Sequence, residues 1–148
     1  MVVTDYLLDP AGKDWNHLLA YWTPPLPVPF RLWIVNRLGE IFGTDGNGAV
    51  HRLEVGTASI SQIAKNRADF ARLIDESDNA ELWLRISLID ACRNSGMKLA
   101  PDECFGFKIP PPLLGKYEVS NLLPVKVDSH YSWLAHITRQ DEIYWAGE

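Results

Sequence analysis

Cysteine is scarce in this sequence, with only Cys92 and Cys104 among 148 residues. Cys92 lies in an apolar helical pattern, which is typical of a small core residue. Because two such thiols give no disulfide framework, we expect a protein of a reducing compartment, the cytoplasm. The first residues lack a basic region, and no window approaches the roughly eighteen apolar residues of a membrane span. We therefore expect no signal peptide and no contact with a membrane.

An excess of basic residues is also missing, since 14 Lys and Arg stand against 19 Asp and Glu for a net charge of −5. Binding to nucleic-acid phosphates requires a basic face, so nucleic acid is not expected as a direct ligand. An acidic chain is suited to a basic protein partner instead. An enzyme that cuts DNA needs a basic face of its own and would be such a partner.

Motifs that carry catalysis are absent. There is no Gly-x-Ser-x-Gly elbow, no phosphate-binding loop and no Gly-x-Gly-x-x-Gly. Asp128-Ser129-His130 contains the three residue types of a hydrolase triad, but direct neighbours in sequence cannot form that relay. The acidic pairs of the chain lie in polar segments, where nothing would raise a carboxyl pKa. We predict that the chain is not an enzyme and has no cofactor.

Metal ligands do not occur at a suitable spacing either. His130 and His136 are six residues apart, whereas helical metal ligands are three or four apart, so we expect both at the rim of the last helix or bonded to backbone. Asp45-Gly-Asn-Gly48 contains calcium-ligand residue types, but the glycine and glutamate of a calcium loop are replaced by Val50 and Gly56. A plain hairpin turn is the better interpretation.

What the chain does contain is 47% apolar residues, enough for one globular domain. Strands come first, then helices, then strands and a helix. This order predicts an α+β fold with a mostly antiparallel sheet packed against helices. The predicted strands are Phe30–Asn36, Glu40–Gly43, Ala49–Val55, Cys104–Ile109 and Leu122–Val127, the first three forming a meander. The predicted helices are Lys13–Trp22, Ser59–Lys65, one starting at Asn66, Ala80–Asn94 and Tyr131–Gln140.

The helix Ala80–Asn94 is predicted to be the central buried one. Apolar residues, among them Trp83, Leu84 and Ile89, nearly surround it. Asp75, Glu76, Asp78 and Glu81 stand at its start, where side chains must be exposed. This acidic run favours a helix start electrostatically and is also a candidate surface for a basic partner.

The segment Glu103–Asn121 combines an aromatic strand with Pro110-Pro111-Pro112. Three consecutive prolines fix three φ angles, so we expect an extended rod that is released at Gly115. One interpretation is a stiff crossover between strands. The other is a preorganised binding edge that includes Pro111 and Pro112.

Several short motifs resemble, in order, one known family. They are Leu38-Gly-Glu-Ile-Phe42, Asp45-Gly-Asn-Gly-Ala-Val-His51 with Leu53, Ile63-Ala64 before Asp69-Phe70, Cys104-Phe-Gly-Phe-Lys-Ile-Pro110, Pro112-Leu-Leu-Gly115, Asn121, His130 and Ile137-Thr-Arg-Gln140. The set resembles the immunity-protein family paired with DNase toxins of the bacterial type VI secretion system, which is SUKH-like in architecture. The resemblance covers residues 38–140 of a single domain 1–148, with 1–37 as an N-terminal helix and proline-rich lead-in.

The resemblance implies a cytoplasmic protein that binds and neutralises a cognate nuclease toxin, with no catalysis of its own. For the toxin-binding surface we propose the acidic run, the proline segment and two aromatic residues near the C-terminus, Tyr144 and Trp145. Two alternatives stay open from the residues alone. One is a SUKH-like interaction or regulatory module without a toxin partner, and the other is a small enzyme with an unrecognised site.

Overall fold

The structure is a computed structural model that describes residues 2–146, and the side chains of residues 2–139. Its elements in chain order are α1 (Trp15–Ala20), β1 (Phe30–Val35), β2 (Ile41–Asp45), β3 (Val50–Glu54), β4 (Ser59–Ala64), α2 (Arg67–Leu73), α3 (Asn79–Leu84), α4 (Ile86–Asn94), β5 (Glu103–Phe107), β6 (Leu122–Lys126) and α5 (Val127–Ala146). Short 3-10 turns occur at Val3–Tyr6, Pro111–Leu113 and Val119–Asn121. No helix in these ranges is both long and apolar enough to cross a membrane.

The strands form two antiparallel sheets. β1 to β4 are neighbours in chain order, with Ile41 opposite Leu53 at the centre, and β5 pairs with β6. Helices pack against both sheets, so the predicted α+β fold with antiparallel strands is confirmed. The meander has four strands, however, where the sequence predicted three.

Two turns of the meander form where the sequence predicted them. Between β1 and β2 the Gly39 amide donates to the Asn36 carbonyl, and Gly39 has a φ of +86°, which a side chain would disfavour. Between β2 and β3 the Asp45 carboxylate accepts from the amides of Asn47 and Ala49 and bonds His51. The Asp45 oxygens therefore hold the turn together.

The fourth strand, β4, was predicted as a helix, and that prediction was wrong. Ile60 and Ile63 are three residues apart, a spacing that puts both on one face of a helix. In a strand the same spacing puts them on opposite faces. Ile60 packs on the larger apolar cluster and Ile63 on the smaller one, and pairing with β3 stabilises the strand. Because the sheet is covered on both sides, the strand shows no simple alternation.

The first sheet lies between two apolar clusters. The main core contains Ile41 and Leu53 on one face, together with side chains from α1, α4, α5 and β5. The smaller cluster lies on the other face and consists of Phe42, Val50, Ala64, Phe70 and Trp83. Phe70, from α2, stacks on Trp83, from α3, with ring centroids 5.1 Å apart. Ile41 and Phe42, neighbours on β2, therefore belong to different clusters.

The single helix predicted for Ala80–Asn94 is two helices. Arg85 separates α3 from α4 and has a left-handed conformation, with φ at 54°. Trp83 faces the smaller cluster, whereas Leu84 and Ile89 face the main core. The apolar residues that were assigned to one helix thus belong to two short helices and pack into two different clusters.

The proline segment is a compact loop, and the predicted extended rod was wrong. Of the three prolines only Pro110 is extended, and Pro111–Leu113 form a 3-10 turn, in which the amides of Leu113 and Leu114 donate to the carbonyls of Pro110 and Pro111. Leu114, and not Gly115, takes the left-handed conformation, with φ at 70°. Gly115 is required for another reason, because a Cβ there would lie 1.6 Å from the Ile109 carbonyl oxygen.

The N-terminal lead-in shares the main core with the rest of the chain. Leu18, Trp22 and Leu26 are buried in it, and Trp22 meets the ring of Tyr131 edge-on at 5.7 Å. Tyr131 belongs to α5, which begins at Val127, four residues earlier than predicted. Its hydroxyl donates to the carbonyl of Gly39 and so ties α5 to the first turn of the meander.

Candidate functional site

The residues that resembled a hydrolase triad point in different directions. Asp128 is exposed and accepts a hydrogen bond of 2.6 Å from the Tyr21 hydroxyl. His130 is buried, and in the part of the chain that the structure describes its Nε2 has no hydrogen-bond partner. The prediction that His130 lies at the rim was therefore wrong, because the ring packs between Phe107 and Trp133. His136 is exposed, as predicted.

The two thiols are free and buried. Burial raises the pKa of Cys104 to about 12, so at neutral pH its thiol carries a proton and is a poor nucleophile. Within residues 2–139, no group of three His, Cys, Asp or Glu side chains is arranged to hold a metal ion.

The acidic run is exposed, as the sequence predicted. Asp75 and Glu76 lie in the turn between α2 and α3, and Asp78 is the residue before α3. Glu76 is partly engaged, because it forms an ion pair of 2.8 Å with Arg72. Glu81 lies on α3 and accepts a 3.0 Å hydrogen bond from the backbone amide of Ser87 at the start of α4.

Two members of the run line a surface groove of about 590 Å³ between α3, α4 and residues 117–119. Asp78 and Glu81 line it from the start of α3 and Glu118 lines it from residues 117–119, and we call these three carboxylates the rim. The apolar residues of this groove include Leu82, which is 45% exposed, and also Leu88 and Val119. We call it the acidic groove. Sequence reasoning missed it because its two sides come from segments about thirty residues apart.

A buried polar network lies beneath the groove, centred on Glu40, which is 1% exposed. Arg85 donates from Nε and Nη2 to the two Glu40 oxygens at 3.0 and 2.9 Å, and Arg52 donates at 3.1 Å. Asn36 adds a further bond at 2.9 Å. The bidentate contact explains why Arg85 holds its left-handed backbone, since the guanidinium must reach down into the sheet.

Tyr117 connects this network with the groove. The Arg85 guanidinium lies 4.5 Å from the centre of its ring, and burial raises the pKa of the Tyr117 hydroxyl to about 12. The signal in the sequence for this network was Glu40 itself, a charged residue directly before the apolar pair Ile41 and Phe42. A charge in that position calls for a buried partner.

The proline loop presents an apolar tip. Leu113 is 62% exposed and Leu114 is 89% exposed, whereas Pro111 and Pro112 are half-buried behind them. Asn121 fixes the loop by bonding the amide and carbonyl of Ile109 and the carbonyl of Lys116, each at 2.9 Å. Tyr144 and Trp145 belong to the last turns of α5, and their side chains lie outside the described residues.

Comparison with known proteins gives one family. Residues 64–138, just over half of the chain, match the protein family described as T6SS immunity protein Tdi1, C-terminal. Curated proteins and solved structures give no match. The acidic groove and the proline loop lie wholly inside the matched residues, whereas β1 to β3 precede them.

Proposed function

The chain belongs to the family of the T6SS immunity protein Tdi1, C-terminal, and on that premise we propose that it neutralises a cognate DNase toxin by binding it in the bacterial cytoplasm. The observation that carries the proposal is the family match across residues 64–138. An immunity protein of this kind protects the cell that makes it by forming a complex with the toxin. No turnover is required for that role.

Charge supports a nuclease as the toxin. A DNase holds phosphates through lysine and arginine, so its active face is basic. The chain carries a net charge of −5, and its exposed acidic run offers carboxylates to such a face. Carboxylates of an immunity protein can therefore occupy positions that the DNA backbone would take. The acidic run and the proline loop, with Pro111 and Pro112, are the surfaces that we propose for the contact, together with Tyr144 and Trp145.

The cytoplasm is the compartment in which a DNase would damage the chromosome, so protection is needed there. The two free, buried thiols are in keeping with a reducing compartment. A binding role is in keeping with the surroundings of Asp128 and His130. Asp128 accepts a hydrogen bond from Tyr21, whereas His130 packs against Phe107, so the two side chains do not act together.

The test is to produce, in a bacterial host, the toxin encoded beside the gene for this chain, with and without the chain. We expect host DNA to be degraded by the toxin alone and to stay intact when the chain is present, and we expect the two proteins to copurify. A toxin variant without catalytic activity controls for nonspecific toxicity. A chain that neither binds nor protects would contradict the immunity function and favour an interaction module with another partner. Protection against a toxin that leaves DNA intact would contradict only the DNase assignment.

A further inference from the structure

The acidic groove differs from the rest of the acidic run in what surrounds its carboxylates. Asp78 and Leu82 are four residues apart and lie on the same face at the start of α3. Glu81 is next to Leu82, and Glu118 lines the groove from residues 117–119. The groove therefore joins three carboxylates to an exposed leucine, whereas Asp75 and Glu76 lie outside it.

The one basic side chain of the groove among the described residues does not cancel this charge. Arg85 is bonded to both oxygens of the buried Glu40, and its guanidinium also lies over the Tyr117 ring. Arg52 and Glu54 belong to the same network, so that two guanidiniums balance two carboxylates there. What the groove presents to a partner is the negative charge of Asp78, Glu81 and Glu118 together with the apolar side chains of Leu82, Leu88 and Val119, which we call the floor.

Contacts within the fold hold both walls of the groove. Arg85 is the corner between α3 and α4, and its ion pair of 2.9 Å with Glu40 anchors that corner to the sheet. On the other side, α4 packs against the 3-10 turn Val119–Asn121. Because both walls are held, little conformational entropy is lost when a partner binds.

We infer that the acidic groove is the docking site for a basic amphipathic segment of the cognate toxin. Lysine and arginine side chains combine an aliphatic stem with a charged head. In this groove the stems lie over Leu82, Leu88 and Val119, and the heads reach the rim carboxylates. The inference rests on the proposed function and names the surface and the chemistry of its contact.

The charge of the groove favours a basic protein segment over two other occupants, a nucleic acid and a second copy of the chain. A nucleic acid would bring phosphates against three carboxylates and be repelled. A second copy of the chain, with its net charge of −5, would meet a like-charged rim. A basic protein segment is the occupant that complements both the charge and the apolar floor.

The first test reverses the charge of the rim in the full chain and measures toxin binding by isothermal titration calorimetry. In the variant Asp78→Lys/Glu118→Lys, neither residue caps a helix through its side chain, so folding should be retained. We expect affinity for the toxin encoded beside the gene to fall about tenfold or more. The matched control is Asp75→Lys/Glu76→Lys, which changes the net charge equally outside the groove and should bind more tightly than the rim variant.

The second test concerns the floor. Leu82→Arg places a cation beside Asp78 and should weaken binding by a similar factor, whereas Val2→Arg makes an apolar-to-Arg change at another exposed position, 59% exposed, and should not. Circular dichroism and thermal unfolding verify that each variant is folded. Charge reversal of the matching lysine or arginine in the toxin should restore binding to the rim variant.

The outcomes separate the inference from the proposed function. If the unchanged chain does not bind the toxin, the proposed function fails and the inference fails with it. If the unchanged chain binds, and the rim and floor variants bind the toxin as tightly as the unchanged chain does, the groove is not the docking site, although the immunity function stands. If these variants instead change the molecular mass of the chain alone in solution, the occupant is a second copy and the inference is overturned.

Discussion

His130 is a buried imidazole on α5, and burial lowers its pKa from 6.5 to about 4. A Cβ on Gly106 would lie 2.9 Å from the ring, so the neutral side chain is closely enclosed. Protonation at this position would bury a charge, and the structure describes no partner for Nε2 that could balance it. The residue therefore links the stability of the fold to pH.

We predict that His130 contributes its whole share to the free energy of unfolding above about pH 6.5, and that this contribution is lost as the pH is lowered toward 4. Because the folded pKa lies below the unfolded value, the unfolded state binds the proton first, and the loss over this window is about 3 kcal/mol. Urea unfolding at a series of pH values measures it. His130→Gln should flatten the slope. An unaltered slope in His130→Gln would contradict this account.

At the scale of one residue, the partners that Glu40 has in the folded chain could not be predicted from the sequence. The residue was predicted to begin a strand and lies directly before β2, but its burial depends on partners at positions 36, 52 and 85. Those partners come together only when the sheet and the corner between α3 and α4 are formed. The local pattern shows that Glu40 needs a buried partner but not which residues supply it, so the members of the polar network beneath the acidic groove could not be predicted.

At the scale of elements, α2 and α3 cover one face of the sheet through a small aromatic cluster. Trp83 is buried in it, stacked on Phe70 and close to Phe42 and Val50. This position differs from the centre of a single long helix, as the sequence had predicted, yet the side chain is buried in either arrangement.

We expect Trp83→Ala to lower the free energy of unfolding by about 3–5 kcal/mol, because it removes a large buried side chain and leaves a cavity. Chemical unfolding followed by circular dichroism measures the change. Trp133→Ala is the matched control, since Trp133 is 38% exposed and should cost much less. If both substitutions have the same small effect, the cluster does not hold α3 on the sheet.

The proline loop gives a prediction about binding. Pro111→Ala/Pro112→Ala should weaken toxin binding more than it lowers stability, since the two prolines begin the 3-10 turn that leads to the exposed tip formed by Leu113 and Leu114. Each proline replaced costs about 0.4–1 kcal/mol of stability through the unfolded chain. Parallel unfolding and calorimetric titrations compare the two effects, with Pro101→Ala as an exposed control. Unchanged binding together with a large loss of stability would show that the loop is only structural.

Elements that depend on contacts between residues close in sequence were predicted, and elements that depend on contacts between distant residues were not. Asn66 was recognised as a helix start, and its side chain does accept from the amide of Asp69. β4 was missed because its two isoleucines serve different clusters, and the break at Arg85 because a distant carboxylate stabilises it. Capping is local in sequence, whereas these two features depend on tertiary contacts.

At the scale of the whole molecule, the antiparallel α+β architecture was predictable from the order of strands and helices. The acidic groove was not, since it needs residues 78–91 beside residues 117–119. The net charge of −5 is a property of composition alone, but the groove shows where part of that charge is concentrated beside apolar surface.

Whole-molecule charge predicts a salt-dependent association with the toxin. Surface charges are screened over about 8–10 Å at physiological salt, so raising the salt concentration should slow association more than it speeds dissociation. Surface plasmon resonance at low and high salt measures both rates. Charge reversal at Asp75, Glu76 and Asp78 together should reduce the salt dependence. An association rate indifferent to salt and to these reversals would contradict an acidic binding surface.

One titration tests directly whether the chain neutralises a DNase by binding it, as we propose. The purified toxin is incubated with plasmid DNA and increasing amounts of the chain, and DNA cleavage is measured. We predict that cleavage falls to background at a fixed molar ratio and stays there, because a stoichiometric complex removes the active toxin. Cleavage that continues unchanged in a large molar excess of the folded chain would contradict the claim.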